Sequence, residues 1–118
     1  MKETLSPQQR IRKKSDFLFL YKNGCRYRGK YFNLIYLSNN LTFTRMAVVV
    51  SKKVGQAVTR NKVKRWLREL FRKNKNWIKG SFDIMIIAKK EILELPRPEL
   101  RDHYLTAIKA LNRRGKSR

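Results

Sequence analysis

The sequence predicts an α+β protein of one domain, a two-layer α/β sandwich in the order αββ(β)αβα. Three observations predict it. Two short apolar runs, Met46-Ala47-Val48-Val49-Val50 and Ile84-Met85-Ile86-Ile87, have the length and β-branched content of buried strands. Two other segments carry apolar residues at helical spacing: Val63, Trp66, Leu67, Leu70 and Phe71, then Leu100, Tyr104, Leu105, Ile108 and Leu111. A chain of 118 residues, 42% of them hydrophobic, supports one modest core shared among few elements.

The elements follow in order. Residues 1–14 are polar and basic and read as a flexible arm. Ser15 is a plausible N-cap for a short helix over 16–22, with Asp16 at its positive end and Asn23-Gly24 as its stop. Phe17, Leu20 and Tyr21 cluster on one side of that helix and Phe19 points away, so one aromatic face is expected to stay accessible or to be covered by a ligand. A short edge strand is expected at 25–28. Residues 31–37 alternate as a strand with both faces mostly apolar, and Ser38-Asn39-Asn40 is turn material. Residues 45–51 read as a buried central strand. Lys52-Lys53-Val54-Gly55 leaves the sheet, a helix covers 60–75, and Gly80-Ser81 resets the chain for a strand over 82–88. Pro96 and Pro98 punctuate a loop before the last helix, and 112–118 is expected as a frayed basic tail, all within a single domain over 1–118.

Charge is the strongest functional signal. Thirty Lys and Arg stand against eight Asp and Glu, a formal net charge of +22. Self-repulsion of that size is costly to a compact fold unless a polyanion screens it. No apolar run approaches a membrane span, and the N-terminal residues lack the apolar stretch of a signal peptide or a lipidation motif, so no membrane role is expected. Cys25 is the single cysteine and His103 the single histidine. An internal disulfide and a Cys/His metal centre are therefore excluded by count, and a reducing, cytoplasmic setting is expected.

On the helix over 60–75 the cations take one side. At 100° per residue, Asn61, Arg65, Arg68 and Arg72 form a stripe opposite Val63, Trp66, Leu67, Leu70 and Phe71, and Lys64 and Lys75 widen it. Helix stability alone favours mixed pairs over like charges in one region, so the stripe points to phosphates between the side chains. Lys52, Lys53, Arg60, Asn61 and Lys62 surround the approach to the helix, whose first turn offers free N–H groups and a positive dipole end. Arginines suit bidentate phosphate contacts, lysines act as point charges, and Asn61 can bridge a phosphate and a hydrated metal ion. A basic helix could also enter a DNA major groove. Only Asn61 in this stripe is a base reader, however, and aromatics near Phe17 and Tyr21 suit stacking on unpaired bases, which favours structured RNA.

At this point a resemblance appears. Ser51-Lys52-Lys53-Val54-Gly55, Ala57-Val58, Arg60-Asn61-Lys62-Val63-Lys64-Arg65, then Arg68-Glu69 and Phe71, together with Asp16-Phe17 and the strand running into Ala88-Lys89-Lys90, resemble the bacterial ribonuclease P protein subunit. The resemblance implies a ribosomal-protein-S5-domain-2-like fold with a left-handed βαβ crossover, against the general right-handed rule. It implies a monomeric subunit, one per ribonuclease P RNA, which helps that RNA and its Mg²⁺ remove the 5′ leader of precursor tRNA and cleaves nothing alone. By position, Lys52, Lys53, Arg60, Asn61, Lys62, Lys64, Arg65 and Arg68, extended by Arg72, would meet the catalytic RNA. Phe17, Tyr21, Tyr36 and Val50 would line the leader cleft. Mg²⁺ would be held mainly by RNA, with Asn61 touching it through water. Tyr21 stands where many relatives carry Phe, and Gln56 where some carry a base. A ribosomal RNA-binding protein, an RNA chaperone and a DNA-binding protein are the competing classes.

No enzyme-like constellation competes. His103 reads as a surface or interface residue, Asp16 as a helix-start residue, Glu69 as a helix-face charge and Asp83 as a strand-edge residue. Trp66 reads as core and Cys25 as a small half-buried hydrophobe. A protein-only nuclease would need metal-binding acids, and none assemble at motif spacing.

Overall fold

The computed structural model describes residues 9–115. Three helices, α1 (Lys14–Asn23), α2 (Ala57–Lys73) and α3 (Arg97–Gly115), and four strands, β1 (Cys25–Arg28), β2 (Phe32–Ser38), β3 (Arg45–Val50) and β4 (Phe82–Ala88), follow the expected order. The strands form one mixed sheet in the order β1-β2-β4-β3. β1, β2 and β4 are antiparallel neighbours, and β3 lies parallel to β4 with α2 as the crossover between them.

Side-chain alternation divides the sheet. Phe32, Leu34, Tyr36, Met46, Val50, Ile84 and Ile86 face α2 and α3, where Val63, Leu67, Phe71, Tyr104, Ile108 and Leu111 complete the main core. The reverse face carries a smaller cluster of Leu20, Ile35 and Met85, against which Ile11, Phe17, Leu37, Val49 and Ile87 pack. α1 covers β2 and β4 on that face and leaves the surface of β3 open beside it.

Several local expectations change. β3 is an edge strand, because β4 arrives between it and β2; the apolar run alone cannot distinguish a central strand from an edge covered on one face. The arm is in part docked: Arg10 bridges to Met46 and the Ile11 N–H donates to the Met46 carbonyl at 3.0 Å, laying residues 10–11 on the open edge of β3. Residues 1–8 lie outside the described part. Lys13 occupies the N-cap of α1 without a side-chain cap, and Asp16 pairs with Arg45 at 3.4 Å. Gly24 ends α1 in an extended conformation; glycine is needed there because a Cβ would fall 2.6 Å from Ile35 Cγ2 and 2.8 Å from the Leu20 carbonyl oxygen. α3 runs on to Gly115, so residues 112–115 of the expected tail are helical, and 116–118 lie outside the described residues. Cys25 is exposed, and Trp66 is half-buried with the Arg97 guanidinium 5.2 Å from its ring centre.

Arg45 also makes a two-point contact with Asp83, Nε and Nη2 donating at 2.9 and 2.6 Å, while Asn39 Nδ2 donates to Asp83 at 2.9 Å. One arginine thus ties the start of α1 to the start of β4. The Tyr104 hydroxyl is buried without a hydrogen-bond partner among the described residues, and burial pushes its pKa well above the ordinary value. Its neutral form stabilises the fold fully below about pH 10, and that contribution is lost as pH rises towards the raised folded value. Tyr104→Phe should therefore match or exceed the parent by about 1 kcal/mol at pH 8, since it removes an unsatisfied hydroxyl. Between pH 8 and pH 11 it should lose less stability than the parent in urea titrations.

Candidate nucleic-acid interface

The approach to α2 is built from backbone economy. Ser51 Oγ accepts from the Lys53 N–H at 3.3 Å, closing a 3₁₀ turn over Lys52–Val54. Val54 is buried and anchors the turn, so Lys52 and Lys53 point to solvent. Gly55 follows with φ 157°, where a Cβ would meet Thr59 at 3.2 Å. The Gly55 carbonyl accepts from Arg60 Nε at 3.2 Å, which folds Arg60 back over the turn. Gln56 provides no side-chain cap, so the first-turn N–H groups of α2 are left to external acceptors.

Along α2 the structure splits the expected stripe. Asn61, Lys62 and Arg65 are exposed, whereas Arg60, Lys64, Arg68 and Arg72 are half-buried. α2 lies against β3, and Arg68 reaches the groove at the open edge of that strand. Glu69 does not dilute the basic side: it pairs with Arg97 at 3.1 Å and Lys73 at 3.6 Å, towards α3.

Arg68 is the link between helix and sheet. With Arg10, Arg12, Phe17, Ala47 and Val48 it lines a groove of about 400 Å³ across the open edge of β3. Burial, and Arg10 close by, push the Arg68 guanidinium below its ordinary pKa, although arginine stays charged at neutral pH. No carboxylate is among the groove's lining residues. Like charges gathered beside an aromatic ring, with no carboxylate in the groove's wall, suit an anion that also carries a flat apolar group.

Phe17 lines this groove from the β3 end of α1. Tyr21 stands at the other end, 49% exposed, with the Arg26 guanidinium 4.8 Å from its ring centre and Arg26 Nη2 donating to its carbonyl at 2.6 Å. Tyr36 and Val50 are not with them. Both are buried in the main core on the α2–α3 face, at 1% and 6% exposure, and burial pushes the Tyr36 hydroxyl up. Their assignment to the cleft was one residue out of register, and in a strand one residue exchanges the faces. The half-buried residues beside Phe17 on the reverse face are Ala47, Val49 and Ile87, with half-buried Asn33 and exposed Arg28 further along. Sequence reasoning missed these, and also Arg10 and Arg12. The strand pairing Arg28↔Asn33↔Ile87, which would reveal the first group, is a tertiary fact.

The donors around Asn61 do not fit a metal coordinated directly by the protein. Its neighbours are Arg60, Lys62, Lys64 and Arg65, while Mg²⁺ takes oxygen ligands, carboxylates foremost. Among the described residues no three His, Cys, Asp or Glu gather as a metal site. His103 is exposed and meets Tyr31 edge-on, with ring centres 4.8 Å apart. No helix among the described residues is long and apolar enough to cross a membrane.

Comparison with known proteins identifies the family. The Ribonuclease P family profile matches residues 5–112. The ribonuclease P protein component of Thermotoga maritima is 40% identical over 94 residues, 80% of each chain. That of Syntrophus aciditrophicus is 47% identical over 88 residues, 75% of this chain and 74% of the relative. The solved RNase P protein from Thermotoga maritima superposes with a TM-score of 0.79 at 36% identity, covering 86% of this chain and 96% of that one. With the fold, the basic motif and these matches in agreement, the chain belongs to the ribonuclease P protein family.

Proposed function

We propose that this chain, as one monomer in the cytoplasm, assembles with one ribonuclease P RNA and holds the 5′ leader of precursor tRNA while that RNA and Mg²⁺ hydrolyse the phosphodiester bond. The observation that carries the reading is the groove: Arg68 belongs both to the basic side of α2 and to the cavity that contains Phe17. One surface can then meet the catalytic RNA along Lys52, Lys53, Asn61, Lys62 and Arg65 and pass directly to a single strand at Phe17, Ala47 and Val49. The cations contact phosphates and confer affinity, and the aromatic ring stacks on an unpaired base. Mg²⁺ would be held mainly by the RNA and would supply activation of the attacking water there, and Asn61 would be the residue of this chain to approach it, through water. In this reading the bond is broken in the RNA subunit, and the protein alone does not cleave. Its exposed Cys25 suits a reducing compartment.

Reconstitution tests the reading. With a bacterial ribonuclease P RNA and precursor tRNA, the protein should lower the Mg²⁺ concentration needed for leader removal and show no cleavage without the RNA. No gain at low Mg²⁺ would sink the proposal. Co-sedimentation with ribosomal subunits in its place would favour a structural ribosomal role.

A further inference from the structure

The segment that returns from α2 to β4 presents a second aromatic surface, at the opposite end of α2 from Lys52 and Lys53. A 3₁₀ turn over Lys75–Trp77 follows the helix. Its backbone is pinned repeatedly. The Trp77 N–H donates to the Asn74 carbonyl at 3.1 Å, and the Ile78 N–H to the Lys75 carbonyl at 3.1 Å. Asn112 of α3 uses both ends of its amide on the same segment: Nδ2 donates to the Trp77 carbonyl at 2.8 Å, and Oδ1 accepts from the Lys79 N–H at 2.9 Å. Ile78 between them is buried in the main core.

The indole takes no comparable part in this anchoring. Trp77 stays 46% exposed although its backbone is fixed. Leaving so large an apolar group in water forgoes favourable burial, and Ile78 already secures the segment. The surroundings are cationic and polar. Lys79, Lys109, Asn76 and Asn112 line, with Trp77, a shallow cavity of about 340 Å³ that has no carboxylate in its wall. Lys109 and Arg113 are i, i+4 neighbours on α3, so positive charge continues along that side. The 17 residues of α2 place this cavity on the order of 25 Å from the start of the helix.

We infer that Trp77 is a second stacking platform, for an unpaired nucleobase of the partner RNA, with Lys79 and Lys109 on the flanking phosphates and the Asn76 amide offered to the base edge. Rigid mounting matters because a platform fixed beforehand loses little entropy when the base arrives. The inference rests on the proposed RNA-binding role but concerns a different end of the molecule, so the two fail separately.

Trp66→Phe leaves Trp77 as the only indole. Titration of that variant with a bacterial ribonuclease P RNA, and separately with a short single-stranded oligoadenylate, should quench the Trp77 emission as anisotropy reports binding. Trp77→Ala in the parent chain should weaken binding of the large RNA about tenfold, Trp77→Phe less, by the size of base–aromatic stacking losses. Unchanged emission with both RNAs at saturation would overturn the inference, and this readout decides the matter even if Trp77→Ala folds poorly. Saturable binding without quenching would refute the platform and leave the main interface standing. Absence of binding by the parent chain would refute both.

Discussion

Reversing charge at Arg65 and Arg68 together, as Arg65→Glu with Arg68→Glu, should weaken binding of ribonuclease P RNA by about two orders of magnitude near 0.15 M salt. Each phosphate contact changes log K by about 0.7–0.9 per decade of salt, which is about four- to fivefold per contact at that ionic strength. Two contacts are lost and two repulsions added. The fold should tolerate the change. Arg65 is exposed, and a carboxylate at position 68 faces Arg10, whose like charge now lies beside Arg68. Thermal midpoints should stay close to the parent while the salt dependence flattens by about 1.4–1.8 in slope. An unchanged slope would show that these arginines touch no phosphate.

Phe17→Ala should weaken binding of leader-bearing precursor tRNA by about 5- to 100-fold and leave mature tRNA unaffected, the range expected for loss of one base–aromatic stack. Phe17 also packs against the reverse-face cluster of Leu20, Ile35 and Met85, so some stability goes with it. Phe17→Leu separates the two effects. It restores most of the apolar packing without a π-face, and should recover the thermal midpoint but not the leader affinity. Equal losses for precursor and mature tRNA would place Phe17 outside the leader path.

The elements and the basic side of α2 were legible in the sequence, and the way the strands assemble was not. α2 was legible because Val63, Leu67 and Phe71 recur at helical spacing and are fully buried. β4 was legible to the residue because Ile84 to Ile87 form an unbroken run ending before Lys89. The composition and the run from Lys52 to Arg68 announced a polyanion partner. Three things were not legible. The rank of β3 in the sheet depends on where β4 inserts, after a crossover of some thirty residues. The faces of Tyr36 and Val50 depend on register, since both sides of β2 and β3 are apolar enough to be buried. The contact of Arg10 and Arg12 with the groove depends on a single bridge, Arg10↔Met46, to a strand whose neighbours had to be known first. Each is a long-range pairing, and local pattern carries no information about which distant segment satisfies a strand's free hydrogen bonds.

The free edges of the sheet have a consequence for the protein before it meets any RNA. Among the described residues β3 is covered only where residues 10–11 lie on it, and β1 forms the opposite rim. Such rims recruit strands from other molecules and promote self-association. Here β1 contributes Arg26 and Arg28, while Arg10, Arg12, Lys52 and Lys53 flank β3. A second copy approaching either rim meets like charge, so the cations that draw a polyanion also keep identical chains apart during synthesis and storage. Solubility of the unassembled subunit and affinity for its partner thus draw on the same side chains, and substitutions that neutralise them lessen both.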